Sequence, residues 1–133
     1  MQLYFFKDGY LRTSSDDYTL KVKNNNYVHL TNNCLQKYGN SYGKHEDGNT
    51  LSFDDFQAYL DEILPDLGIN VEEHFVARIK DLVIDTFLSV KDEINPRKRK
   101  HCFEVFGYDF MIDEDMRTWL IEVSLYNKSS INA

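Results

Sequence analysis

The sequence has few cysteines, no long apolar run and no excess of basic residues, and each of these excludes a class of protein. The two cysteines, Cys34 and Cys102, stand far apart without the spacing of a metal site, so we expect reduced, structural thiols. No stretch approaches about 18 apolar residues and no signal-peptide pattern is visible, so a cytoplasmic protein without membrane contact is expected. With 22 acidic against 15 basic residues, the net charge of −7 argues against nucleic acid as a partner. The sequence also contains no glycine-rich phosphate loop of the Walker or Rossmann kind.

The length and composition favour one domain with a real core. The chain has 133 residues, of which 42% are apolar. It runs from Met1 straight into a strand-like stretch and ends in the polar tail Tyr126–Ala133 (YNKSSINA). This pattern is typical of a piece cut from something larger.

The order of the predicted elements is strands, two helices and strands. Strands are predicted over Gln2–Lys7, Tyr10–Thr13 and Tyr27–Thr31, a loop over Ser14–Asn26, and helices after the Ser52/Asp55 cap and over Val71–Ile94. Pro65 and Gly68 end the first helix and Pro96 bars the second from continuing. The predicted fold class is α+β, with an antiparallel sheet and two packed helices.

Two apolar runs, Cys102–Ile112 and Thr118–Ser124, look like the arms of one hairpin about the charged turn Asp113–Arg117. Pairing the arms sets Asp109 opposite Glu122, where directly opposed Cβ atoms lie about 4.5–5.5 Å apart. The same register sets Met111 opposite Leu120 and Phe110 opposite Ile121. One face then holds Asp109, Met111, Leu120 and Glu122, and the other holds Phe110, Ile112, Trp119 and Ile121. Since both faces are largely apolar, we expect the hairpin to be buried on both sides.

The two opposed carboxylates have two interpretations. Like charges this close are unfavourable unless a proton or a cation lies between them, and a small oxygen-only cluster suits Mg²⁺. Alternatively, they are edge-strand acids that point to water.

Two further sets of polar residues could bind a ligand. The string His29–Asn33 (HLTNN) would end a strand with groups that could hold phosphates or sugar hydroxyls; the alternative is a strand end followed by an asparagine-stabilised turn. Arg12 could hold a carboxylate or phosphate with two parallel hydrogen bonds, or could be a surface ion-pair partner.

Taken together, these strings resemble the tubulin–tyrosine ligases and their ligase-like relatives, a family with an ATP-grasp fold. The resemblance covers nearly the whole chain in five stretches: Asp8–Ser15 (DGYLRTSS), His29–Lys37 (HLTNNCLQK), Tyr42–Asn49 (YGKHEDGN), Phe53–Leu60 (FDDFQAYL) and Phe103–Val123 (FEVFGYDFMIDEDMRTWLIEV). The EDGN and FQAYL strings look more like the tyrosine ligase itself than its glutamylating or glycylating relatives. The resemblance implies that residues 1–133 are the C-terminal part of an ATP-grasp domain whose N-terminal half is absent.

The resemblance also implies a reaction and its cofactors, ATP and Mg²⁺. Such ligases phosphorylate a carboxylate with ATP, and an amine then attacks the acyl phosphate to form an amide bond. The implied partners are tubulin, through its C-terminal tail, and a free amino acid, in a cytoplasmic setting associated with microtubules or cilia. Carried over by position, Asp109 and Glu122 match the metal ligands, Thr31 and Asn32 match nucleotide-contacting residues, and Arg12 matches an arginine at the peptide carboxylate or reaction centre.

Two departures from the family pattern predict poor or no turnover by these residues alone. Ser124 follows Glu122-Val123 where the family has an asparagine that completes the metal shell, and Leu125–Lys128 (LYNK) replaces the usual Asn-Pro stretch. In addition, the half of the cleft that supplies the phosphate-binding lysines and the adenine hinge is missing. A non-catalytic tubulin-binding or scaffold module that retains the fold is therefore an alternative, as is a truncated gene model.

Overall fold

The computed structural model describes residues 2–21 and 24–125. Residues 22 and 23 of the predicted loop Ser14–Asn26 and the predicted tail Tyr126–Ala133 lie outside the described residues. The described chain forms two compact units: an N-terminal unit of residues 5–71, and a C-terminal unit of residues 72–125 with residues 2–4. The predicted α+β class is confirmed, but the single antiparallel sheet is wrong, since the strands form two separate two-stranded antiparallel sheets.

Each unit contains its own helices and strands, with the larger number of short elements in the N-terminal unit. The N-terminal unit contains β1 (Tyr10–Arg12), α1 (Asn26–His29), α2 (Asn33–Gln36), a 3₁₀ turn (Asp47–Asn49), β2 (Thr50–Ser52), α3 (Phe53–Ile63) and a second 3₁₀ turn (Pro65–Leu67). The C-terminal unit contains a π-helical turn (Glu72–Val76), α4 (Ala77–Ile94), β3 (Phe106–Ile112) and β4 (Thr118–Leu125).

Helix α3 begins where its sequence predicted. The Ser52 hydroxyl accepts a hydrogen bond from the Asp55 backbone N–H at 3.0 Å, and the Ser52 N–H donates to the Asp55 carboxylate at 3.2 Å. This reciprocal capping box satisfies amide groups that the first helical turn leaves without partners. Donation by the Ser52 hydroxyl and N–H also lowers the pKa of Asp55. The helix ends at Ile63, just before Pro65, and Gly68 adopts a left-handed conformation after the 3₁₀ turn.

Two of the predicted strands are wrong. Residues 2–7, all of which are described, form no strand, because β1 pairs with the distant β2 instead and sets Arg12 opposite Thr50. The segment predicted as the strand Tyr27–Thr31 begins with α1, where the Asn25 side chain caps the helix by accepting from the Tyr27 N–H at 3.0 Å. An asparagine cap here overrides the strand propensity of the tyrosine and valine that follow.

In the C-terminal unit, α4 packs on one face of the hairpin formed by β3 and β4. Phe87, a buried residue of α4, meets Phe106 edge to face at a ring-centroid distance of 5.1 Å, and Tyr108 at 6.4 Å. The hydroxyl groups of Thr86 and Tyr108 are hydrogen-bonded at 2.7 Å. This cluster fixes which face of the hairpin is covered.

The helices within the described ranges lack the combination of length and apolar character that crossing a bilayer requires.

Candidate functional site

The hairpin brings the two predicted metal ligands together. Strands β3 and β4 run antiparallel, and Asp109 lies directly opposite Glu122, as the sequence predicted. Asp109 is half-buried and Glu122 is exposed. Directly opposed side chains project to the same face of the sheet, so the two carboxylates are neighbours.

A β-bulge follows this pair, and the predicted register beyond it is wrong. Phe110 pairs with Leu120 rather than with Ile121, and Met111 pairs with Trp119 rather than with Leu120. Ile121 is the extra residue of β4, and this insertion moves the β4 side chains between the bulge and the hairpin turn to the face opposite to the predicted one. Bulges are frequent beside active sites, where they redirect a side chain.

The carboxylate face of the hairpin is open, contrary to the expectation that both faces are buried. Since side chains alternate along a strand, Asp109 and Met111 project away from the face that carries Tyr108 and α4. Met111 is 57% exposed and Trp119, which we expected on the other face and in the core, is 54% exposed. The Trp119 indole N–H instead donates to the Asp113 carboxylate at 2.8 Å across the hairpin turn. An ion and its ligands could therefore reach the two carboxylates from this side.

Ser124 lies on the same face as Glu122, two residues further along β4, and opposite Gly107. Its hydroxyl group is 3.5 Å from the Gly107 carbonyl oxygen. A Cβ atom at position 107 would lie 2.9 Å from the Ser124 Oγ, so the glycine leaves the space that this side chain occupies. Ser124, where the resemblance leads us to expect an asparagine, is thus on the face that carries the carboxylates, and an opposing glycine leaves room around it.

The two carboxylates fit Mg²⁺ by the chemistry of their donor atoms. Both offer only oxygen, and Mg²⁺ commonly binds one or two carboxylates while keeping water molecules and phosphate oxygens as its other ligands. Within residues 2–21 and 24–125, no cluster of three or more His, Cys, Asp or Glu side chains could hold a metal. A pair of carboxylates would leave the remaining positions around such an ion to water molecules and phosphate oxygens.

Arg12 and Asn32 line one cleft in the N-terminal unit. The cleft has a volume of about 510 Å³, is largely open to solvent, and includes Asn32–Cys34 and Thr50–Ser52. Cys34 lies on the wall of the cleft, and both it and Cys102 are free and exposed. The expected free thiols are therefore confirmed, whereas the expected structural role in the core is wrong. The predicted arginine and amide thus lie at a common depression in the surface.

Asn32 has a structural role as well as its place in the cleft. Its side-chain oxygen accepts a hydrogen bond from the Cys34 N–H at 2.8 Å and caps α2. The asparagine-stabilised turn, one of the two interpretations of this string, is therefore present, although it follows a helix rather than a strand. Thr31, which precedes it, is half-buried and is not among the residues that line the cleft.

Sequence reasoning missed a buried polar cluster in the N-terminal unit. Gln36 is fully buried, and Ser15 and Asn49 are each 4% exposed. Gln36 closes the HLTNNCLQK string and Asn49 closes the EDGN string, but no periodic pattern marks them. Their contacts join residues 21 and 34 positions apart, which a local pattern cannot reveal.

Comparison with known proteins identifies a family. The sequence model described as "Tubulin-tyrosine ligase family" matches residues 1–127. Tubulin glycylase 3B of Tetrahymena thermophila is 36% identical over 124 residues, which is 92% of this chain and 10% of that protein. Tubulin glycylase 3E of the same organism is 37% identical over 126 residues, or 94% of this chain and 8% of that protein.

A relative from another organism gives a similar match. The probable tubulin polyglutamylase TTLL9 of Rattus norvegicus is 32% identical over 124 residues, covering 93% of this chain and 26% of that protein. The chain thus spans only about a tenth to a quarter of the length of these three relatives. The likeness of the EDGN and FQAYL strings to the tyrosine ligase itself stays a prediction.

Proposed function

The chain belongs to the tubulin-tyrosine ligase family, and from this membership we propose that it forms part of an ATP- and Mg²⁺-dependent ligase that joins an amino acid to a carboxylate of tubulin. The names of its relatives, two tubulin glycylases and a probable tubulin polyglutamylase, support tubulin as the partner. The observation that carries the proposal is the position of Asp109 directly opposite Glu122 within a family match over residues 1–127.

The proposed reaction has two stages on an ATP-grasp fold. A carboxylate oxygen of the protein substrate attacks the γ-phosphate of ATP, which gives an acyl phosphate and ADP. The amine of the incoming amino acid then attacks the acyl carbon, forms the amide bond and releases phosphate. Because little covalent chemistry falls to the protein, its work is to position these groups and to stabilise their charge.

Asp109 and Glu122 would hold Mg²⁺ in this scheme. The ion would neutralise phosphate charge during transfer. The open face of the hairpin supports this role, since the carboxylates are accessible beside exposed Met111 and Trp119. Ser124 in place of an asparagine would leave the ion one protein ligand short.

Arg12, Thr31 and Asn32 would act on the substrates. The Arg12 guanidinium can pair with a carboxylate or acyl phosphate through two parallel hydrogen bonds, and its place in the cleft supports such contact. Because the Asn32 oxygen already caps α2, its amide N–H groups remain the atoms suited to a nucleotide oxygen. Thr31 does not line the cleft, and its proposed contact with the nucleotide rests on the family resemblance alone.

The chain spans a small part of its relatives and we expect these residues alone to turn over poorly, so the test uses the protein with any flanking sequence that its gene encodes, called the complete gene product below. It is incubated with tubulin, ATP, Mg²⁺ and a mixture of amino acids, and the masses of the tubulin C-terminal peptides are measured. We expect a mass increment that requires ATP and disappears in Asp109→Asn. Asp115→Asn, which removes a carboxylate from the hairpin turn, should retain it.

Two other results would contradict the proposal. An increment that persists in Asp109→Asn would remove the carboxylate pair from the reaction. Tubulin that binds the protein but gains no mass would favour the alternative, a non-catalytic tubulin-binding or scaffold module. The proposed cytoplasmic, microtubule- or cilium-associated location follows from the same partner.

A further inference from the structure

The side-chain amide of Gln36 forms four hydrogen bonds in the N-terminal unit. Its side chain is fully buried. The Oε1 atom accepts from the Ser15 N–H at 2.9 Å and from the Ser15 hydroxyl at 2.5 Å. The Nε2 group donates to the carbonyl oxygens of Tyr27 at 3.1 Å and Leu30 at 2.5 Å. Two accepted and two donated bonds exhaust what a side-chain amide can form.

These four bonds join the two segments that carry the predicted ligand-binding residues. Leu30 directly precedes Thr31 and Asn32, so the bond to its carbonyl oxygen fixes the backbone that leads into them. Ser15 lies three residues after Arg12, so the bonds to its N–H and hydroxyl fix the chain that leaves β1. One side chain therefore sets the position of one segment relative to the other.

Asn49 extends the same network to the loop that precedes β2. Its Nδ2 donates to the Ser15 hydroxyl at 2.9 Å and to the Thr13 carbonyl oxygen at 3.3 Å, while its Oδ1 accepts from the Gly43 N–H at 2.7 Å. Its backbone φ of 52° is a left-handed conformation that asparagine tolerates better than most residues. The segment that follows Arg12 and the loop that leads into β2 are thus both hydrogen-bonded to the buried amides of Gln36 and Asn49.

We propose that Gln36 is a positioning residue for the substrates: through Ser15 and Leu30 it holds the Arg12 strand and the Thr31–Asn32 turn at the spacing that nucleotide and acceptor binding require. This inference rests on the proposed function for the identity of the ligands. A filled network in a low-dielectric interior is rigid, whereas an apolar residue of the same volume would fill the space without fixing either segment. Gln36 itself need not touch a substrate.

Gln57 provides a matched control within the same unit. Its Oε1 accepts from the Val71 N–H at 2.7 Å and its Nε2 donates to the Ile69 carbonyl oxygen at 2.9 Å, so it ties α3 to the segment of residues 69–71. None of its partners belongs to the segments that carry Arg12 or Asn32. Gln57→Leu should cost stability through lost hydrogen bonds without moving the cleft.

The first arm of the test measures amide hydrogen exchange of this chain by NMR, corrected for each variant's global stability. In Gln36→Leu, we expect the amides of Ser15 and Cys34 to exchange at least tenfold faster, the second because the Asn32 cap loses its fixed backbone. Gln57→Leu should accelerate Val71 and leave Cys34 within twofold. Unchanged exchange at Cys34 in Gln36→Leu would overturn the proposal. If Gln36→Leu does not fold, the milder Ser15→Ala must accelerate Cys34 for the proposal to stand.

The second arm measures steady-state ligation by the complete gene product under conditions in which each variant is folded. Gln36→Leu should raise the KM for ATP at least tenfold, and Gln57→Leu should leave it within twofold. Equal effects in the two variants would reduce Gln36 to a general stabilising role and overturn the proposal. If the unaltered gene product does not ligate, the proposed function fails, and the exchange arm alone then decides whether Gln36 positions the segments.

Discussion

Glu122→Gln should have opposite effects on the free energy of unfolding with and without Mg²⁺. The change keeps the side chain's shape, and Glu122 is exposed, so no core packing is lost. Without a divalent ion, Glu122 opposes the like charge of Asp109, an arrangement that costs about 0.2–1 kcal/mol. Removing one charge should therefore raise the free energy of unfolding by up to about that amount.

With Mg²⁺ present, the order should reverse. At an ion concentration of about ten times the dissociation constant, binding stabilises the folded chain by about 1.4 kcal/mol, and the variant should lose most of this. Urea denaturation of both proteins with and without Mg²⁺ measures the four free energies. Glu114→Gln is the control, because it removes the same charge from the hairpin turn rather than from the pair. Equal stabilisation of Glu122→Gln and the unaltered chain by Mg²⁺ would refute the assignment.

Three further predictions concern the hairpin and its support. Ser124→Asn should raise Mg²⁺ affinity, measured by calorimetry, because the longer side chain can supply the family's third ligand; no change would place position 124 outside the metal shell. Phe87→Ala should lower the free energy of unfolding by about 3–5 kcal/mol in urea, since it empties the space against Phe106 and Tyr108; the exposed Leu88→Ala should cost far less. Donation by the Trp119 indole and the Arg117 N–H lowers the pKa of Asp113. This carboxylate therefore stabilises the fold above its ordinary pKa of about 4 and ceases to do so as the pH falls through the lowered value. Asp113→Asn should therefore flatten the acid limb of a plot of unfolding free energy against pH, and an unchanged limb would contradict this.

The elements that the sequence predicted well are those specified by local signals. The start of α3 follows from Ser52 and Asp55, three residues apart, and α4 lies within the predicted range Val71–Ile94 and ends at the same residue. The pairing of Asp109 with Glu122 also follows from local sequence, since the two arms and their turn are contiguous. Such features need no knowledge of distant residues.

The errors occur where long-range contacts or small backbone irregularities decide the structure. Residues 27–30 have strand-like side chains, but the Asn25 cap and the bonds from Gln36 to their carbonyl oxygens favour a helical turn. Strand β1 pairs with β2, about 40 residues away, rather than with residues 2–7. The bulge at Ile121 has no clear signature in a uniformly apolar strand, and it alone moved Trp119 to the exposed face. The structure brings to one cleft two of the proposed ligand-binding residues, Arg12 and Asn32, which the sequence indicates only as separate candidates.

The most direct test of the central claim is a titration of the isotopically labelled chain with Mn²⁺, followed by paramagnetic broadening of its backbone amide signals. If Asp109 and Glu122 form the metal site, their amides and those of neighbouring Gly107 and Ser124 should broaden first, and excess Mg²⁺ should restore them. The acidic turn Asp113–Asp115 on the same hairpin serves as an internal comparison for non-specific attraction of cations. Broadening that begins at this turn, or that spares residues 109 and 122, would contradict the assignment of the carboxylate pair as a magnesium site.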